Sequence, residues 1–376
     1  MLRHRLKINY HGLRNFDWFM FSIPIVLTLL GIMTIYSATR SVLDTQPSFY
    51  VRQSIWLVIS IIALFLSASF DYRKLIGIAY HLYGIGLILL FLTILLGHSG
   101  MGAQRWLRLG PVSFQPSEMF RIAIIIVAAK YLSLKRSPLS ASPLTTLLFL
   151  FILLPFCLLY KQPDLGTAIT LVGIVVLMVL VKGMQKRILV GVLLVIIISL
   201  PFAGNILWEG LKEYQRNRLV AFIDPKIDPK GIGYQIEQSK ITIGSGKVFG
   251  KGYLNGTQGP FRFLPEKHTD FIFSVFSEEW GAVGSVVVIS LYLLLIIRGY
   301  ETAYYAKDEF GTLLSIGIST MFLLYVFINI GMTMGLMPVV GIPLPFFSYG
   351  GTALLANFIC VGLLINVRMR RFILFY

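Results

Sequence analysis

Apolar residues run almost unbroken for stretches near the length of a bilayer, and polar residues collect in the gaps between them. A helix needs about 20 apolar residues to cross a hydrocarbon layer of roughly 30 Å, and on that measure the pattern predicts about ten transmembrane helices. They fall at Phe19–Tyr36, Ser54–Phe70, Leu75–Leu96, Met119–Leu134, Thr145–Tyr160, Thr167–Val181, Ile188–Leu207, Phe271–Ile297, Thr312–Gly335 and Thr352–Val367. Pro24, Pro155 and Pro201 lie inside runs, where neighbouring helices can satisfy the backbone groups that proline frees. The expected fold is an all-α integral membrane protein, one polytopic domain over residues 1–376, with a large outer loop at 208–270 between helices seven and eight.

Composition agrees: 56% of residues are hydrophobic and 13% charged, against roughly 45–50% and about 25% in a soluble domain. The first run is too long for a signal-peptide core and lacks a small-residue cleavage site, so it reads as helix one. Cys157 and Cys360 sit within apolar runs and suggest neither a disulfide framework nor a metal site. Lys and Arg crowd alternate short loops: Arg3, Arg5, Lys7 and Arg14; Arg73 and Lys74; Lys135 and Arg136; Lys186 and Arg187; Arg298 and Lys307; Arg368, Arg370 and Arg371. By the positive-inside rule these loops and both termini are cytoplasmic. The long loop is basic but faces outward, because long loops translocate largely regardless of charge. Its cationic cluster suits an anionic ligand, although any single lysine there can equally serve solubility or lipid phosphates.

Candidate chemistry gathers in the outward segments. No HExxH or CxxC motif is present, and the glycine cluster Gly244–Gly252 fails the GxxxxGK[ST] spacing that cradles nucleotide phosphates. The Asn255-Gly256-Thr257 sequon reads as chance. The segment Phe263–Phe273 places Glu266, Lys267, His268, Thr269 and Asp270 immediately before an apolar span. A carboxylate there, near the positive end of a helix and partly desolvated, can be tuned toward general-base work. Equally, Thr269 or Asp270 can simply cap the helix. Glu278 and Glu279, inside the following span, require partners in the bundle. Glu118 and Arg121 are three apart and can pair on one helix face, with Ser117 as a possible cap. Asp164 lies in a tight Gln162–Thr167 turn and Gly341–Gly351 is too rich in Pro and Gly for a helix. Non-helical backbone at membrane depth must be shielded by protein or line a wet cavity.

Taken together, Gly102–Trp106, Gln115–Glu118, Pro163–Thr167, Gly244–Gly252 with Gly256-Thr257-Gln258, Pro265–Phe273 and Asn329–Gly351 resemble the SEDS family (shape, elongation, division and sporulation) of bacterial cell-wall polymerases. Within it the resemblance is to the RodA branch, through Met332–Met334 and the Gly256-Thr257-Gln258 turn, rather than to FtsW. It implies a ten-helix peptidoglycan glycosyltransferase of the bacterial cytoplasmic (inner) membrane that polymerises lipid II into glycan strands during cell elongation. Implied partners are lipid II and the growing strand, a class B penicillin-binding transpeptidase and membrane proteins of the elongation complex, with no nucleic acid. In the family the aspartate of the Thr-Asp-Phe-Ile-Phe motif, Asp270 in this chain, is the essential catalytic residue. The resemblance makes Arg105, Glu118, Arg121, Arg216, Arg218, Lys267, His268 and Ser348 the substrate-binding candidates, and a divalent cation (Mg or Mn) the cofactor candidate. Arg121 departs from the family, which usually carries Lys there; the charge is kept, but a planar fork replaces a point donor. Two other readings compete, a flippase for lipid-linked precursors and a non-catalytic scaffold. A transporter should show inverted repeats and polar residues near mid-membrane, whereas these polar clusters crowd one side.

Overall fold

The computed structural model describes residues 15–40, 49–100, 103–109, 112–192, 194, 209–211, 213–228, 231–257 and 267–371. The expected span Ile188–Leu207 lies mostly outside them, as do the basic residues before Asn15, together with Gln258 and Glu266.

Among the described residues, eight helices are long and apolar enough to cross a membrane. They are α1 (Trp18–Thr39), α2 (Phe49–Ser69), α3 (Lys74–Leu96), α5 (Ala141–Lys161), α6 (Leu165–Lys182), α9 (Ile272–Tyr304), α10 (Glu309–Thr333) and α11 (Gly351–Arg370). The interposed α4 (Pro116–Ser133) carries Glu118, Arg121 and Lys130, yet it is buried almost throughout. A helix apolar nearly all round belongs in the middle of a bundle. Accordingly α4, α10 and α11 form its centre, while α2, α3, α5 and the second half of α9 show Ile, Val, Leu and Phe on the outside, the surface that lipid would cover. The helix α5 widens to a π-helical stretch over Leu147–Leu153 ahead of Pro155. Close approach fixes the packing: Gly362 of α11 lies against the backbone of Leu64 in α2, where a side chain has no room.

Two features depart from the sequence expectation. A small antiparallel meander of β1 (His98–Gly100), β2 (Ala103–Leu109) and β3 (Val112–Phe114) stands between α3 and α4. The long loop before Asp270 also holds, among its described residues, the helices α7 (Glu213–Ile223) and α8 (Ile232–Ser245).

Charged groups gather at two ends. At one, Arg368 pairs with Asp17 at 2.7 Å and with Glu301 at 3.2 Å, Arg73 pairs with Asp308 at 3.2 Å, and Lys182 pairs with Glu309. Tyr72 donates to Asp308; burial, and secondarily that hydrogen bond, push its phenol pKa up. Every residue of this belt lies beside the loops that the charge bias places in the cytoplasm. The opposite end carries the candidate site.

Candidate active site

The site is built on a broken helix. Within α9, Gly281 leaves helical geometry (φ 66°, ψ −165°). The break frees backbone donors and acceptors, which cannot go unpaired in or beside a bilayer. The glycine-rich loop after α8 satisfies them. The amides of Ala282 and Val283 donate to Lys247 O (2.9 Å) and Val248 O (3.1 Å), and the amides of Lys251 and Gly252 donate to Glu278 O and Glu279 O (3.0 Å each). Gly250, at φ +79°, presses directly on the Glu279 carbonyl, so a side chain is excluded. The cluster that lacks nucleotide spacing is therefore a backbone splint. Glu278 anchors it: its Oε1 accepts from Lys251 Nζ (2.6 Å), Thr257 N (3.0 Å) and Thr257 Oγ1 (2.8 Å). Glu279 accepts from Ser37 of α1. Glu278 thus has the partners its burial requires, whereas Glu279 Oε2 is buried without a hydrogen-bond partner among the described residues.

The splinted half-helix begins just after Asp270. Its N-cap position is Phe271, which has no side-chain acceptor, so the capping position lies one residue beyond Asp270. The turn 267–271 is laced instead to the non-helical segment before α11. Asn329 Nδ2, buried on α10, donates to both Asp270 O (3.1 Å) and Ile342 O (2.7 Å). Ser348 Oγ donates to Thr269 O (2.6 Å) and accepts from Leu344 N (2.8 Å). Tyr349 N donates to His268 O (3.0 Å). Shielding of this irregular backbone comes from buried Ile342, Leu344, Phe346 and Phe347.

Gly341 locates the reactive groups. It sits at φ +76°, and a Cβ added there would lie 3.3 Å from Asp270 Oδ2 and 3.6 Å from Arg218 Nη1. Carboxylate and guanidinium therefore flank one point, with Arg218 Nη1 held by Val340 O at 2.9 Å. Arg216 is two residues away on α7 and so projects from a different face; its Nη2 donates to Glu209 O at 2.7 Å. The imidazole of His268 stacks on Phe49 with centroids 4.6 Å apart. Lys267 is buried beside it in the chain.

A second cluster joins through the same segment. Arg121 meets Glu118 at 2.8 Å, both buried, and its Nη2 also donates to Asn357 Oδ1 at 2.6 Å. Its guanidinium lies 4.9 Å from the Tyr325 ring centre. Ser117 does not cap α4: the N-cap is Gln115. Asp164 caps α6, accepting from Thr167 N at 3.4 Å, and pairs with Arg105 Nη1 at 3.6 Å. Arg105 also donates to Pro163 O. A Cβ on Gly166, in the first turn of α6, would lie 3.0 Å from Val340 O, so this cluster abuts the strip that carries Arg218 and faces Asp270. Arg105 Nε, Arg121 Nε, Asp164 Oδ2 and Tyr325 OH are buried without a hydrogen-bond partner among the described residues. Sequence reasoning gave no role to Asn329, Asn357 or Tyr325. Their signal was available: amides within apolar runs mark sites where a bundle needs polar contacts.

Fold and site together define a polytopic helical membrane protein with an acid–guanidinium centre at the mouth of a broken helix. The family model for FtsW, RodA and SpoVE, described as cell cycle protein, matches residues 17–372. Among curated relatives, the peptidoglycan glycosyltransferase MrdB of Escherichia coli K12 is 39% identical, covering 93% of this chain and 94% of its own. Peptidoglycan glycosyltransferase RodA of Treponema pallidum is 32% identical over 96% of this chain and 99% of its own. A solved chain, from a study of the structural coordination of polymerization and crosslinking by a peptidoglycan synthase complex, superposes with a TM-score of 0.80. It is 33% identical, covering 95% of this chain and 98% of that one. The chain belongs to the FtsW/RodA/SpoVE family.

Proposed function

We propose that the chain is a peptidoglycan glycosyltransferase that polymerises lipid II during cell elongation, with Asp270 as general base. The observation that carries this reading is the placement of Asp270 Oδ2 and Arg218 Nη1 within 4 Å of one point above Gly341, in a family whose relatives bear that activity in their names. Asp270 takes the proton of the acceptor GlcNAc 4-hydroxyl as that oxygen attacks the donor MurNAc anomeric carbon. The bond from that carbon to the pyrophosphate oxygen breaks with inversion, and its electron pair leaves on undecaprenyl pyrophosphate. Arg218 stands nearest to the growing negative charge, and a charge-assisted guanidinium–phosphate contact is the strong, bidentate kind. Arg105 and Arg121 supply further positive charge across the Val340–Ile342 strip, while Glu118 and Asp164 orient them. Lys267 and His268 line the approach from the loop, and Ser348 acts by holding the turn in place. Arg216 takes an outer position on the same helix.

No group of three or more His, Cys, Asp or Glu that could hold a metal stands among the described residues. A divalent cation is thus proposed only as a companion of the substrate pyrophosphate, which is how magnesium is often held, and no step here runs through it. Ion pairs gather at the two ends of the bundle, which supports surface chemistry over transport through its middle. The membrane is the bacterial cytoplasmic membrane, with Asp270 on its outer side. The related complex that joins polymerization to crosslinking supports a class B penicillin-binding transpeptidase as partner. The test is conversion of labelled lipid II to glycan strands by the purified chain, alone and with its transpeptidase. Strands in either reaction support the reading; accumulation of unreacted lipid II in both, from folded protein, overturns it.

A further inference from the structure

The splint loop leaves a feature that its backbone role does not require. Val248 and Phe249, at its tip, are 55% and 83% exposed, although hydrogen bonds to α9 fix the backbone on both sides of them.

Two helical rulers give the depth of this tip. Trp18 of α1 and the Tyr304–Tyr305 pair closing α9 are exposed aromatics, the residue types that mark a membrane–water boundary. Asp17 and Glu301 share Arg368, so the two markers lie at one level. Along α1, Met33 stands about 22 Å above Trp18 at roughly 1.5 Å per residue. Its carbonyl accepts from Tyr253 of the loop at 3.4 Å. Along α9, Val283 stands about 32 Å from Tyr304 on the same rise, and its amide donates to Val248 O at 3.1 Å. The hydrocarbon layer is about 30 Å thick, so the α9 ruler puts the Val248 backbone at the far boundary of that layer, and the α1 ruler puts the Tyr253 hydroxyl about 8 Å short of it. Val283, Val286 and Val287 below it are themselves exposed apolar residues of the span. Lys247 and Lys251 flank the tip; Lys251 is engaged by Glu278, and Lys247 is exposed, with a stem long enough to keep its ammonium at the headgroups.

We propose that residues 247–251 form a bilayer-interface anchor, which buries Val248 and Phe249 among the acyl chains of the leaflet on the Asp270 side and sets Lys247 at lipid phosphate. The inference rests on the membrane reading of the apolar helices and does not depend on catalysis. The occupant is lipid rather than a partner helix, because the tip continues the lipid-facing surface of α9 and ends it with a lysine. Since the same loop splints the half-helix that follows Asp270, it ties the depth of the catalytic turn to that of the bilayer surface.

The test uses the full chain in nanodiscs, with Phe249→Trp compared against the wild type by difference emission. In discs of phosphatidylcholine brominated near the glycerol end, most of the added emission is expected to be lost, with less loss when the bromines lie near the chain terminus. Full added emission in brominated discs, with quenching by acrylamide from water, overturns the proposal. Photocrosslinking from benzoylphenylalanine at position 249 gives a second reading. Phospholipid adducts support the anchor, whereas adducts to the membrane helix of a co-reconstituted transpeptidase in place of lipid overturn it in favour of a protein contact.

Discussion

Gly341→Ala tests the geometry of the site with a single methyl group. Two costs can be separated. Backbone at φ +76° lies in a region that residues with a Cβ seldom occupy, at a cost of about 1–3 kcal/mol. The new methyl also lies 3.3 Å from Asp270 Oδ2, inside ordinary contact distance, so the carboxylate must give by a few tenths of an ångström or turn from Arg218. Displacement of a reacting group by about 1 Å can cost 10²-fold in rate; a smaller shift should cost on the order of 10-fold. Gly183 supplies the control. It sits at φ +87° with only Ser137 Oγ near the added methyl, at 3.5 Å, so Gly183→Ala incurs comparable strain at the opposite end of the bundle. Melting temperature by fluorimetry and initial rates of lipid II polymerisation are measured on both. Both variants should melt lower than wild type, and only Gly341→Ala should polymerise slowly. Equal rates for the two variants would refute the placement of Asp270 beside Gly341.

Arg121→Ala removes one half of a buried pair, which typically costs about 3–5 kcal/mol, so it should lose folded protein as well as activity in gel filtration and polymerisation assays. Arg121→Lys should keep more of both. A wild-type melting temperature for Arg121→Ala would contradict the burial argument. Glu278→Gln weakens the charge-assisted contact with Lys251, worth roughly 1.5–3 kcal/mol, and amides 250–252 should then exchange hydrogen faster by mass spectrometry; unchanged protection would show that the backbone bonds suffice alone. For orientation, a cysteine at Lys247 should react with an impermeant thiol reagent added to spheroplasts and one at Lys186 should not; the reverse pattern would invert the topology.

The spans were legible because lipid imposes length and apolarity together: Phe19–Tyr36 became Trp18–Thr39, and Thr167–Val181 became Leu165–Lys182. The break at Gly281 was not legible. Apolar residues run on through it, and what permits it is backbone pairing with a loop some thirty residues earlier, which no local pattern records. The meander over residues 98–114 is missed for a related reason, since its outer strands are three residues each and too short for an alternating signal. Within the site, Asp270 stood out by its position at a span mouth, but the sequence could not show that the capping position falls on Phe271, one residue later. Arg216 and Arg218 were likewise equivalent in composition. Only the helical phase of α7 places Arg218 beside Gly341 and turns Arg216 toward Glu209.

The role of Asp270 as base stands or falls with Asp270→Asn. Asparagine keeps the size of the side chain and can hydrogen-bond at a helix start as aspartate does, but it cannot accept the proton. Loss of general-base catalysis typically lowers a rate by about 10²–10⁴. The measurement is the rate of glycan-strand formation from lipid II by the purified variant, alongside its melting temperature and its binding to the transpeptidase. Wild-type folding and binding are expected, with polymerisation reduced at least about 100-fold. A folded Asp270→Asn protein that elongates lipid II near the wild-type rate would contradict that role and transfer the search for the base to Glu118.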